Sequence, residues 1–183
     1  MRLQGKRVAI LVEEGFEDLE FWVPLMRLQE EGATVSIVGL AAGKKVSSKS
    51  GGLSATVELA ASDVSEGDID ALVVPGGWAP DRLRRSEAIK QFAKAMDQKG
   101  KVVAMICHAG LVGISAGIVK GHKATGSLGI KDDLENAGAT WVDAPAFRDG
   151  NQVWGRVVED IPDFCRELVG AIEGVDRSGD PSA

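Results

Sequence analysis

Tyrosine is absent from this 183-residue sequence, and cysteine and histidine occur twice each. The first absence excludes any tyrosine contribution to catalysis. Two cysteines with no recognisable export signal make a disulfide framework unexpected and a reducing cytoplasm the expected location. No apolar run approaches the roughly 20 residues that span a bilayer, so no membrane association is expected. The first residues, "MRLQGKRVAILVEEG", hold an apolar stretch of only about seven residues before Glu13. That is short for a signal peptide and reads as a first β-strand. Basic charge is also scarce: the net charge is -6 and the pI near 5.0, against stable nucleic-acid binding.

What is present is ordinary for a folded protein, with 44% hydrophobic and 26% charged residues. The length suits one domain, expected over residues 1–175, with "DRSGDPSA" (176–183) as a polar, disordered tail. Strand and helix patterns alternate, predicting an α/β fold with a mostly parallel sheet covered on both faces. "KRVAILV" (6–12), "ATVSIVGL" (33–40), "IDALVVPGG" (69–77) and "KVVAMIC" (101–107) read as strands, three of them buried on both sides. "FEDLEFWVPLMRLQEEG" (16–32) reads as a helix with apolar positions Leu19, Trp22, Val23, Met26 and Leu28, kinked at Pro24. "SEAIKQFAKAMDQKG" (86–100) is a helix capped by Ser86 and Gly100. A hairpin or meander is expected over 44–59, a short helix at 109–117, a strand at 140–143, a hairpin at Asp149-Gly150 and a last helix from 161 to 172.

Ligands of open α/β sheets bind outside the carboxyl ends of the strands. Three of the expected strands end in "EEGFEDLE", "PGGWAPDR" and Cys107-His108. Cys107 stands where a buried strand turns into a helix, the place of a nucleophile held on a sharp bend. A helix N-terminus there would favour the thiolate; the alternative is an inert buried thiol. His108 is the adjacent base candidate, although neighbouring side chains usually diverge. Glu17 and Glu20 share a helix face, and Glu20 is favoured over Glu17 to point at the sulfur. If protonated by burial, it could donate to a thiolate or to an oxidised sulfur. Glu13, Glu14 and Asp18 read as acids that complement the helix dipole. Gly76 and Gly77, with the backbone of His108, are candidate oxyanion donors. His122 and Cys165 read as structural. With no histidine after residue 122, an amidotransferase triad, whose histidine lies far downstream of the cysteine, is not expected.

The stretches "GFEDLEFWVP", "DALVVPGGWAPDRLR", "AMICHAG", "LVGISAGIVKGHKATG" and "GIKDDLENAGATWVD" together resemble the PfpI family of cysteine peptidase-like proteins, in the DJ-one/PfpI superfamily. The resemblance runs from about Lys6 to Gly170. It implies a flavodoxin-like three-layer fold of the class I glutamine amidotransferase type and places the family's nucleophile on Cys107, its histidine on His108 and its acids on Glu20 and Glu17. It also implies a homo-oligomer in which an acidic residue of a neighbour, here Asp81, completes a triad with His108. Asp81 is one methylene shorter than the family's glutamate, and Ser127-Leu128 stand where a Tyr-Pro is common. The implied activities are glyoxalase or deglycase action on small carbonyl compounds, hydrolysis of damaged protein, or a redox-sensing, chaperone-like stress response through oxidation of Cys107. No cofactor or metal is expected.

Overall fold

In the computed structural model residues 1–175 are described, and the expected tail at 176–183 lies outside them. In chain order the elements are β1 (Arg7–Leu11), α1 (Asp18–Glu30), β2 (Thr34–Gly39), β3 (Lys45–Ser47), β4 (Ser54–Thr56) and β5 (Leu59–Ala60). There follow β6 (Ala71–Val74), α2 (Ala79–Leu83), α3 (Glu87–Gln98), β7 (Val102–Ile106), α4 (Gly110–Ala116) and β8 (Lys123–Ala124). The chain then forms α5 (Lys131–Asn136), β9 (Thr140–Trp141), β10 (Ala146–Asp149), β11 (Gln152–Gly155) and α6 (Ile161–Glu173).

Seven strands make the main sheet in the order β10-β11-β7-β6-β1-β2-β5, parallel except for the β10–β11 hairpin. Helices α1 and α6 cover one face, and α3 and α4 cover the other, flanked by α2 and α5. This is the flavodoxin-like three-layer α/β fold. The central strands β1, β6 and β7 are almost wholly buried, which is why their sequences are unbroken apolar runs rather than alternating ones. Strands are one to three residues shorter at their ends than the apolar runs suggest, because those ends turn into loops while still inside the core. Two short segments pair away from the runs: β5 extends the sheet beyond β2, and the expected strand at 140–143 shrinks to β9, which pairs with β8 outside the main sheet.

Helix α1 corrects one expectation. It continues through Pro24, and its buried residues are Glu20, Phe21, Pro24, Leu25 and Leu28. Leu19, Val23 and Met26 of the anticipated apolar stripe are exposed. The helix is rotated so that Phe21 packs against Phe16, with ring centroids 4.9 Å apart, and this rotation carries Glu20 inward. A buried carboxyl among apolar residues is invisible to periodicity, which counts it as a solvent position.

Truncation tests this orientation. Phe21→Ala should cost about 3–5 kcal/mol of unfolding free energy, whereas Met26→Ala on the opposite face should cost under about 0.5 kcal/mol. Equal losses in denaturant titrations would contradict the rotation.

Candidate active site

Strands β7, β6 and β1 are neighbours at the centre of the sheet, so the three chemically unusual strand ends meet at one edge. The loops are stitched together by backbone. Glu17 N–H donates to Gly76 O at 3.1 Å, and Trp78 N–H donates to Gly15 O at 2.8 Å. Ile106 ends β7 in extended conformation, and Cys107 then takes φ +61°, the only positive φ of a non-glycine residue among those described. Left-handed backbone at a residue with a Cβ costs roughly 1 kcal/mol or more, and here the packed strand and the following helix impose it. The bend also settles the question of adjacency: His108 Nδ1 lies 3.3 Å from Cys107 Sγ.

Glu20 reaches the same point from α1. It is fully buried, and its Oε2 accepts the Gly76 N–H at 2.7 Å. Its Oε1 makes no normal hydrogen bond, and the carboxyl's remaining short-range partner is the Cys107 thiol. The close approach requires Gly76, since a Cβ there would stand 2.5 Å from Glu20 Oε2 and 2.8 Å from the Cys107 Cβ. With its N–H committed to Glu20, Gly76 cannot serve as the oxyanion donor expected of it. The backbone N–H groups of Gly77 and His108 instead point at the sulfur. Glu17 caps α1, its Oε2 accepting the Glu20 N–H at 2.8 Å, and acts on Glu20 through its charge.

Burial pushes the Glu20 carboxyl up to about 7, opposed by the Gly76 hydrogen bond and helped by Glu17. Burial, and then ionised Glu20, push the Cys107 thiol up to about 12, against the pull of the Gly77 and His108 N–H groups. A low-pKa thiol was the expectation from the helix end; burial beside a carboxylate outweighs that potential. Burial and Lys49 hold His108 below its ordinary range, so its ring is neutral near pH 7 and can accept a proton. Glu20 and Cys107 therefore both hold protons below about pH 7, and above it the thiol alone keeps its proton beside an ionised Glu20.

A cleft of about 380 Å³ opens onto His108, lined also by Gly77, Trp78, Asp81, Arg82, Arg85 and Leu111. Asp81 is exposed and paired with Arg85; no carboxylate among the described residues bonds to His108. Lys49, overlooked in the sequence, arrives from the β3–β4 turn and sits 5.9 Å from the Trp78 ring centroid. The acids assigned to the helix dipole hold the β3–β4 hairpin in place. Glu13 Oε1 meets Lys44 Nζ at 2.5 Å, Glu14 accepts the Ser47 N–H at 2.9 Å, and Asp18 accepts the Ser50 hydroxyl at 2.6 Å. The only sequence signal was a lysine set in a glycine- and serine-rich turn. His122 bonds Asp149 at 2.8 Å, away from the cleft, and Cys165 is buried on α6. No group of His, Cys, Asp and Glu among the described residues converges as metal ligands, and no helix among them is long and apolar enough to cross a membrane.

The chain is 44% identical over 163 residues to Deglycase TK1284 of Thermococcus kodakarensis, covering 89% of this chain and 97% of that protein. It is 38% identical over 170 residues to General stress protein 18 of Bacillus subtilis, covering 92% and 99%. A crystal structure of a two-domain protein from Anabaena variabilis, with DJ-1/ThiJ/PfpI-like and ferritin-like domains, superposes with a TM-score of 0.90 at 33% identity. That match covers 97% of this chain and 52% of the larger one. The profile of the DJ-1/PfpI family matches residues 6–171, and the chain belongs to that family.

Proposed function

We propose that this protein removes dicarbonyl adducts from amino and thiol groups, with Cys107 as nucleophile. The observation that carries the reading is the left-handed bend that presents the Cys107 sulfur to Glu20, His108 and two backbone N–H groups at once. The similarity to proteins named deglycases supports it. In the reaction, the sulfur adds to the carbonyl carbon of the adduct while Glu20 takes the thiol proton and returns it to the forming alkoxide. Neutral His108, at 3.3 Å, moves the second proton as the amine or thiol leaves. Water adds to the aldehyde carbon so freed, whose hydrogen shifts to the neighbouring carbon as the bond from that carbon to the Cys107 sulfur breaks, so that methylglyoxal leaves as lactate and the thiol is restored. Gly77 and His108 N–H groups favour negative charge first on sulfur and then on the oxygen beside it. Adducts suit this site better than peptide bonds. Their carbonyls are more electrophilic, and among the described residues of one chain no carboxylate orients His108 as a peptidase triad requires. A homo-oligomer would supply that carboxylate only by bringing a neighbour's Asp81 to the ring.

One observation favours a second reading. Glu20 Oε1 has no normal hydrogen bond beside the sulfur, and a protonated carboxyl there could donate to a sulfinate formed by peroxide. In that reading the protein is a redox-responsive stress protein, and mild peroxide would add two oxygens to Cys107 in preference to Cys165.

Turnover of the hemithioacetal formed by methylglyoxal and a thiol, followed as lactate release, tests the first reading. Cys107→Ser should lower kcat by at least about 10³-fold, and wild-type turnover in that variant would sink the proposal. Because Glu20 must be ionised to take the thiol proton, kcat/KM should rise with pH up to about 7, where Glu20 loses its proton, and level off above it. Glu20→Gln should erase that inflection and lower kcat by roughly 10²-fold, yet make the thiol easier to ionise by removing the adjacent charge. An inflection near 7 that survives in Glu20→Gln would assign it to another group.

A further inference from the structure

The mouth of the cleft is positively charged in a chain whose net charge is -6. Of the two arginines lining it, Arg85 is neutralised by Asp81. Arg82 has no carboxylate partner or side-chain hydrogen bond among the described residues. Lys49 likewise has no carboxylate partner; its ammonium faces the Trp78 ring and acts electrostatically on both Glu20 and His108. Arg82 thus lines the cleft that opens onto His108, Lys49 stands over the Trp78 side of it, and Trp78 and Leu111 offer apolar wall. Some exposed cations elsewhere, such as Arg2, Lys99 and Arg166, meet a carboxylate, and others, such as Lys45 and Lys94, form no ion pair among the described residues, so it is the place of Arg82 and Lys49 beside the cleft that sets them apart. A cation left unmatched at the edge of an otherwise apolar cleft is free to bind an anion that the site itself does not supply.

From these charges we infer that the site prefers substrates bearing a carboxylate near the reactive carbon, with Arg82 and Lys49 as the groups that recognise it. The substrate class is then the adduct carried by a free amino acid or other small carboxylate-bearing amine or thiol, rather than by a neutral side chain within a protein. Small skeletons fit the 380 Å³ cleft, with the carbon chain against Trp78 and Leu111 and the carboxylate toward the cations. The assignment of these adducts as substrates rests on the proposed function, whereas the charge preference of the cleft does not.

Two reagents of nearly equal size separate the two claims. Iodoacetate and iodoacetamide both alkylate a thiolate with loss of iodide, forming the S–C bond without any catalytic step, and differ only in charge. The ratio of their rates at Cys107 should exceed the ratio for the same thiol in the urea-unfolded chain by about fivefold at low ionic strength. Arg82→Gln and Lys49→Gln should each reduce that excess about twofold, the double variant should remove it, and added salt should erode it. Arg166→Gln on α6 should not change it. Equal ratios in folded and unfolded chain, an excess insensitive to both variants, or failure of both reagents to label Cys107 at pH 9 would overturn the inference. The matched substrates are the methylglyoxal hemithioacetals of N-acetylcysteine and of its amide. A several-fold higher kcat/KM for the acid, lost in the double variant, is expected, and equal values would overturn the preference. If neither adduct is turned over while the alkylation excess holds, the proposed function fails and the anion-binding mouth stands.

Discussion

The hydrogen bond from Gly76 N–H to Glu20 Oε2 joins a helix on one layer to a strand end in the middle of the sheet, and the arrangement around the sulfur depends on it. A buried carboxyl with no partner would be expelled or would cost several kcal/mol. One backbone donor holds it, and the absence of a side chain at Gly76 lets it stand next to Cys107. The left-handed backbone of Cys107 then directs the sulfur into the remaining space, where Gly77 and His108 N–H groups face it. Glycine at 76, glutamate at 20 and a strained cysteine at 107 are one interlocking requirement rather than three separate ones.

Electrostatics in this pocket is a contest that burial wins. Helix-end potential and two N–H groups favour a thiolate, but desolvation and the neighbouring carboxylate push the thiol up to about 12. The same desolvation raises Glu20 to about 7. Above about pH 7 the thiol keeps the proton and Glu20 is the anion, so the carboxylate stands ready to take the proton as the sulfur forms its bond to carbon. A resting thiolate is unnecessary for such chemistry and would be more exposed to oxidation.

Much of this was legible in the residues. Continuous apolar runs at β1, β6 and β7 announced buried parallel strands, and their odd endings announced convergence at one edge. Cys107, His108 and Glu20 come together as that reasoning expected, although the contact between Cys107 and His108 needed a backbone bend that no spacing encodes. The misses share a cause. The buried face of α1 contains Glu20, so apolar periodicity points to residues such as Leu19, Val23 and Met26 that face outward. Glu13, Glu14 and Asp18 lie at a helix start, where the local explanation is sufficient, yet they bind the β3–β4 hairpin and the residue before it some 30 positions away. Gly76 looked like a free donor because its acceptor sits 56 residues earlier. Local pattern reports what a residue does for its own element, and these residues act across elements.

The β3–β4 hairpin held by Glu13, Glu14 and Asp18 contributes nothing to the central sheet, yet it brings Lys49 to the rim, while the sulfur stands at the end of a wholly buried strand. Reactivity and recognition are therefore inherited from different parts of the chain. Substitutions in the "SSKSGG" turn or along α2 can change which molecules enter without disturbing the group that attacks them. In a lineage of such proteins the sulfur chemistry could stay constant while the menu of substrates drifts.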